Sequence, residues 1–406
     1  MLCTIFLTVF SAHSTTTREY KADNDSLIEM YISQVNADSV ESYMQYLQDM
    51  GTRFMMSPNR RNVAESIKNK FIELGADHAR IDSFRCYTKI NMGIIKYDTI
   101  TWQYNVIGNI FGMLDVEHYS VIGAHYDDVI YPGGNPMEFA PGADDNASGV
   151  AALFESVRIL SDNDFIPLYS IEFVAFAAEE LMYSGNCGSQ AYVDSSLAWG
   201  RGMELMINND MIAYNEDEWD ITISNYSGCE ELTGLAEQIT LDYTSIEPLV
   251  HESSTEAFAD CLYFYEAGVP CLYFMEEEFN PFYHSNNDLV ENVSIDYCAE
   301  AIKITLALIT KLQDTVLTET KELSEATYKI YPNPSDGYLK VLFDSSVPDD
   351  KAAYFITDIQ GRMVKQGVVN SRDIIDLRYL NKGLYFISLK VGNSISVEKI
   401  MLDSCN

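Results

Sequence analysis

The sequence predicts an α/β domain built on a mixed, largely parallel sheet between helices, followed by a small all-β sandwich. Three observations carry that prediction. Between about Gln103 and Leu312, apolar runs of strand length alternate with segments of helical period, the pattern of a sheet covered on both faces. Several of those runs stop abruptly at a carboxylate or a histidine, as strands do when their C-terminal ends hold a site. Beyond Thr327 only short strands remain, separated by Pro, Gly, Asn and Asp turns, which is the spacing of a sandwich.

In order along the chain, Met1 to Phe10 is apolar but too short to span a bilayer, and small polar residues follow from Ser11 to Thr17. Residues 1–17 therefore read as a signal peptide, although the usual basic start is missing. Residues 18–317 are expected to form the α/β domain, 318–327 a polar linker and 328–406 the sandwich. Ser39 to Met50 and Asn59 to Leu74 carry helical periodicity, the second ending at Gly75 as a helix C-terminus should. Gln103 to Phe111 and Tyr119 to Ala124 read as strands. A Pro- and Gly-rich loop, Tyr131 to Gly142, leads into a helix that runs to about Leu160, with Val150, Leu153, Phe154 and Val157 on one face. The strand from Leu168 to Ala178 is followed by a helix near Gly188 to Leu197 and a strand from Met203 to Asn208. Asp220 to Ser224, a helix near Glu230 to Leu241 and the apolar run Val269 to Met275 continue the alternation. Ile295 to Leu312 closes the domain as an amphipathic helix.

Acidic residues outnumber basic ones 61 to 26, for a formal charge of -35. Such a chain is repelled by nucleic acid and by anionic lipid, so neither is an expected partner. No stretch after the leader is apolar enough to make an integral membrane protein. Export permits disulfides among the eight cysteines. Their spacing forms no metal knuckle, and small buried hydrophobes is the expected role for several.

The stretch Val174 to Leu181, Val-Ala-Phe-Ala-Ala-Glu-Glu-Leu, is the one around which the chain is organised. Adjacent carboxylates at the end of a buried strand are costly unless they manage a cation and a proton, so one of Glu179 and Glu180 can ligate while its neighbour acts as base. His125, Asp127, Asp144, Asp210 and His284 also sit where a strand gives way to a loop or helix. Imidazole and carboxylate ligands without thiolate suit zinc, cobalt or manganese. Five ligands and a spare carboxylate exceed what one tetrahedral ion needs, and two ions bridged by a carboxylate fit better.

The segments Gly-Ala-His125-Tyr-Asp127, Pro-Gly-Ala-Asp144-Asp-Asn-Ala-Ser-Gly, Ala-Ala-Glu179-Glu180, Asn-Asp210-Met and Tyr283-His284-Ser285-Asn286-Asn287-Asp288 resemble, in order and spacing, the successive signatures of metallopeptidase family 28, the co-catalytic zinc aminopeptidases. That resemblance implies an eight-stranded mixed sheet between helices and two zinc ions. It implies His125 and Asp210 on one ion, Glu180 and His284 on the other, Asp144 bridging both, and Glu179 as general base. Asp127 would orient the ligand histidine through its other ring nitrogen, and Tyr283 would steady the tetrahedral oxyanion. Asp128 stands where the family often has serine, and Ala259-Asp260-Cys261 where it often has Ser-Asp-His. The tail, with Tyr331-Pro332-Asn333-Pro334, Asp336-Gly337, the turn from Asp358 to Gly361, Leu380-Asn381-Lys382-Gly383-Leu384-Tyr385 and Lys399, resembles the sorting domain of type IX secretion cargo. The expected partners are thus a peptide substrate and the type IX machinery, and the expected location is outside the cell after periplasmic export. Two rivals remain on the same fold: a glutaminyl cyclase-like transferase working with one zinc, and a binding protein that has lost the chemistry.

Overall fold

The computed structural model describes residues 17–92, 95–112, 115–165, 167–180, 188–216, 219–252, 259–319, 321–322, 328–343, 351–358, 363–391 and 394–403. The leader expected at 1–17, and Cys3, Cys187 and Cys405, fall almost wholly outside these residues. The chain divides into two compact units, one taking in most of the residues up to Leu312 and the other Gln313–Asn406 together with the short segments Phe111–Val116 and Ile166–Tyr169.

The first unit opens with helix α1 (Thr17–Ile32), then α2 (Ala37–Gln48) and α3 (Arg60–Glu73). Asn36 starts α2 by accepting the Ser39 amide, the side-chain cap that satisfies an otherwise orphaned first-turn N–H. Its buried Val40, Tyr43, Met44 and Leu47 recur at three- and four-residue intervals and so line one face. The α3 helix is followed by Gly75 in the left-handed region (φ 95°), where only glycine escapes a Cβ penalty.

The sheet is assembled from β1 (His78–Met92), β2 (Ile95–Ile110), β3 (Asp115–His125), β4 (Tyr169–Phe176), β5 (Gly202–Asn209), β6 (Asp220–Asn225), β7 (Glu247–Glu252) and β8 (Cys271–Met275). Their order is β1-β2-β4-β3-β5-β8-β6-β7. β3, β5 and β8 run parallel, whereas β1–β2, β2–β4 and β8–β6 are antiparallel. Two of these strands have no counterpart in the sequence reading. β1 alternates polar residues on both faces and pairs along its whole length with β2 from His78↔Asn109 to Met92↔Ile95, so it presents no apolar run. β7 is largely exposed at the opposite edge, where burial leaves no pattern to read.

Helix α4 (Gly149–Asp162), α5 (Gly188–Ala198), α6 (Glu230–Tyr243), the short α7 (Cys261–Glu266) and α8 (Ile295–Glu319) cover the sheet. α8 runs on to Glu319, past the start of the expected linker. On one face Phe154 packs edge-on against Phe71 and Tyr43, with centroids 5.1 and 5.7 Å apart. On the other, Phe176 and Tyr192 meet in the same way at 5.8 Å, geometry that adds to the area they bury. Cys86, Cys229, Cys261, Cys271 and Cys298 are buried free thiols, and no disulfide links the described cysteines. Among the described residues no helix is long and apolar enough to cross a membrane.

In the second unit, β9 (Lys321–Glu322), β10 (Tyr328–Tyr331), β11 (Tyr338–Phe343), β12 (Lys351–Asp358), β13 (Met363–Asn370), β14 (Ile375–Asp376), β15 (Gly383–Val391) and β16 (Ser394–Leu402) form a three-stranded sheet, β10-β11-β14, and a five-stranded one, β13-β12-β15-β16-β9. Leu339 and Val341 of one share a core with Ile356, Ile387 and Leu389 of the other, a sandwich as the turn spacing predicts.

Candidate metal centre

The site lies at the C-terminal ends of the central strands. β3 ends in His125, and β4 runs out through Ala177 and Ala178 to Glu179 and Glu180. β5 delivers Asp210, and the loop after β8 brings back His284. Ala178, Met211 and His284 hold positive φ values of 63°, 53° and 53°. Such backbone costs energy for a residue with a Cβ and tends to persist where a side chain must be aimed. The fifth segment is an irregular turn, Ala143–Ser148, in which Asp145 leaves helical geometry (φ -104°, ψ 89°) before α4 begins.

Asp145 sits between the two histidines. His125 Nε2 is 3.2 Å from Asp145 Oδ1, and His284 Nε2 is 3.2 Å from Asp145 Oδ2. His125 Nε2 is also 3.2 Å from Asp210 Oδ1, and His284 Nε2 2.8 Å from Glu180 Oε2. Each imidazole thus faces Asp145 and one further carboxylate.

The expectation that Asp144 bridges is corrected by this geometry. Its carboxylate points the other way, accepting the Ala213 amide at 2.9 Å and the Asn280 side-chain amide at 2.9 Å. Beside it burial, and then the Asp144 charge, push Glu276 up to about 12. The two Glu276 oxygens accept the Tyr214 and Asn280 amides at 2.8 and 3.0 Å. Asp144 is a strut beneath the site, and its neighbour faces it.

Asp127 also differs from expectation. His125 Nδ1 bonds the Asp127 backbone carbonyl at 3.1 Å, while the carboxylate oxygen is 3.9 Å from that nitrogen. The Asp127 carboxylate instead accepts the Glu179 amide at 3.0 Å. It thereby ties the end of β4 to the end of β3. Tyr283 stacks its ring on the His284 imidazole, centroids 3.6 Å apart and planes 18° apart, and Phe279 packs on its other side at 4.7 Å.

Two further residues organise the turn without having been singled out from the sequence. Asp288, the last residue of the Tyr-His-Ser-Asn-Asn-Asp segment, accepts the Asp144 and Asp145 amides at 2.9 and 3.1 Å. Asn146 accepts the Gly149 amide and donates to the Asn209 carbonyl, linking the turn to β5.

The electrostatics are those of a cation site. Burial works against charge on Asp145, yet His125 and His284 pull its carboxyl well below the usual range. Burial raises Glu179 well above, and Glu180 to about 8. For His284 the carboxylates of Glu180 and Asp145 overcome burial and raise it to about 10. Carboxylates packed this closely need compensation. His284 Nε2 and the buried Glu180 Oε1 nevertheless find no hydrogen-bond partner. Donor atoms that converge at 2.8–3.2 Å without hydrogen-bond geometry fit a metal ion, and one set, His125, Asp145 and Glu180, places its ligand atoms within 4.8 Å of one another. The residues are of the kind zinc takes.

Imidazoles and carboxylates gathered at the strand ends of an α/β sheet make a candidate metal centre. The model of peptidase family M28 matches residues 105–309, and the chain belongs to that family. A second model, the secretion system C-terminal sorting domain, matches residues 329–403. Among the relatives, a probable leucine aminopeptidase of Trichophyton verrucosum is 26% identical over 304 residues, covering 71% of this chain and 76% of its own. Among solved structures, BSAP, a zinc aminopeptidase from Bacillus subtilis, superposes with a TM-score of 0.55 at 18% identity, covering 68% of this chain and 95% of its own. Porphyromonas gingivalis glutaminyl cyclase superposes with a TM-score of 0.58 at 18% identity, covering 68% and 98%. The last two show a shared fold.

Proposed function

We propose that this protein is a secreted di-zinc aminopeptidase that removes N-terminal residues from peptides. The observation that supports it best is the placement of Asp145, whose two oxygens each face a different histidine at 3.2 Å. His125 and Asp210 would hold one ion and Glu180 and His284 the other, with Asp145 between them. When bound, the ions would acidify a water and polarise the scissile carbonyl.

The chain's own groups supply the rest. Glu179, raised by burial, takes a proton from the attacking water and gives it to the leaving amine nitrogen. The Asp127 carboxylate fixes the Glu179 backbone. Tyr283, partly exposed and stacked on His284, offers a phenol beside the substrate carbonyl, its proton held firmly because burial and Asp145 raise its pKa. The C-terminal unit, which matches the sorting-domain model, would be the tag read by a type IX secretion system.

The glutaminyl cyclase reading has equal support from the fold but uses one zinc. The second ligand set around His125 favours the peptidase. Hydrolysis of a panel of aminoacyl chromogenic amides, before and after chelation and zinc addition, decides between them. The expected result is activity that chelation abolishes and zinc restores. The Glu179→Gln variant should lose about 10²- to 10⁴-fold in kcat while still binding metal. Robust turnover by that variant would remove Glu179 as base. Cyclisation of an N-terminal glutaminyl peptide, without amide hydrolysis, would establish the transferase.

A further inference from the structure

We infer that Arg53 is a positioning residue of this centre, a side chain that ties the segment holding His125 to the segment holding Asp145. The inference rests on the metal-site reading above. Arg53 is 1% exposed and Asp128 is fully buried, in a chain where acidic residues exceed basic ones more than twofold. A buried guanidinium is retained at a cost unless each of its donors is met.

Here the guanidinium makes four hydrogen bonds to backbone carbonyls, and the choice of backbone is informative. Nε donates to the Tyr126 carbonyl at 2.7 Å. Nη1 donates to the carbonyls of Leu47 at 3.2 Å and Pro141 at 2.9 Å, and Nη2 to Gly142 at 2.8 Å. Tyr126 lies between His125 and Asp127. Pro141 and Gly142 lead directly into the turn that aims Asp145. Leu47 lies in the last turn of α2, the end of a helix that favours a cation.

The planar fork therefore grips both halves of the site and anchors them to a helix. The carboxylate of Asp128 closes the arrangement, 3.3 Å from Nη1, and also accepts the Arg53 amide at 3.0 Å. Gly142 completes the fit. It adopts φ 45°, and a Cβ there would come within 2.7 Å of Arg53 Nη2 and 2.8 Å of Asp128 Cβ. Arg53 touches no reacting atom. It acts through the carbonyls on either side of the ligands, by a rigid geometry that a lysine ammonium cannot copy.

The test is cobalt binding by the full-length, metal-stripped protein, followed by calorimetry and by the ligand-field absorption of the bound ion. Arg53→Lys keeps the charge but loses the fork, and Asp128→Asn, a gentler change, keeps the shape should Arg53→Lys fail to fold. Arg80→Lys serves as control, because Arg80 forms a comparable pair with buried Glu172 at 3.0 Å outside the site. The expected result is a 10- to 100-fold weaker cobalt affinity and an altered absorption spectrum in Arg53→Lys, the range seen when groups supporting metal ligands are lost. Asp128→Asn should shift the same way by less, and Arg80→Lys should lose thermal stability while binding cobalt like the wild type. Wild-type cobalt affinity and spectrum in both Arg53→Lys and Asp128→Asn would overturn the inference and leave the metal reading intact. A wild-type protein that takes up no cobalt would overturn both.

Discussion

Exchanging Asp145 for Asn, with Asp144→Asn as its companion, discriminates between two adjacent carboxylates that differ only in the direction they face. Asp145 meets the two imidazoles across 3.2 Å contacts. A unit positive charge facing its carboxylate over that distance is worth about 5 kcal/mol at an effective dielectric of ~20. Loss of the charge should weaken metal binding roughly a thousand- to ten-thousand-fold. Asp144→Asn has a different cost. Its oxygens accept from Ala213 and Asn280, so an amide would set one N–H₂ against another, costing about 1–3 kcal/mol of stability. Metal affinity should move by less than about tenfold, the low end for a supporting group. Titration of metal-stripped protein with zinc, alongside thermal unfolding, reads both quantities. Abolished uptake in Asp144→Asn with retention in Asp145→Asn would refute the assignment of the bridging position.

Glu172 gives a pH prediction. Burial opposes its ionisation, but Arg80 and Arg201, at 3.0 and 2.7 Å, hold it down to about 2 from 4.5. A depressed carboxylate contributes stability that is present above the unfolded pKa and is lost as pH falls through the folded one, here between about 4.5 and 2. The shift corresponds to about 3 kcal/mol, so the stability gap between wild type and Glu172→Gln should shrink by that order from pH 5 to pH 2 in urea titrations. A constant gap would contradict the ion-pair account. Removing residues 328–406 should leave amide hydrolysis by the first unit within about twofold, since its core shares no residue with the sandwich core. In a host with a type IX system, the truncated protein should fail to leave the cell envelope. Normal release would dismiss the tail as a sorting signal.

The layered fold was legible because the central strands are buried on both faces and announce themselves as apolar runs. The edges were not, because β7 is largely exposed and β1 alternates buried Cys86, Thr88 and Ile90 with exposed polar residues. At the site, residue types point to the segments that carry His125, Glu179, Glu180, Asp210 and His284, but they do not distinguish Asp144 from Asp145. That choice is made by backbone torsions in the Ala143–Ser148 turn, and two aspartates in succession look identical until the chain direction is known. Asp127 shows the same limit, since its carbonyl and carboxylate exchange the roles expected of them. Arg53 gave no signal at all. A lone arginine is usually solvated, and its partners, scattered from Leu47 to Gly142, are mostly carbonyls that every residue possesses.

The loop from Tyr131 to Pro141 is fastened at both ends, by the Tyr131 amide to the His284 carbonyl at 2.9 Å and by the Pro141 carbonyl to Arg53. Between them the Pro136 carbonyl accepts the Thr52 hydroxyl at 2.6 Å and the Ala140 amide meets the Gly51 carbonyl at 3.0 Å, so change is freest at Pro132 to Asn135. Lengthening such a loop costs little, about 0.6 kcal/mol per doubling, and loops are where proteins tolerate change. Substitutions within the loop can thus accumulate while the imidazoles and carboxylates keep their places.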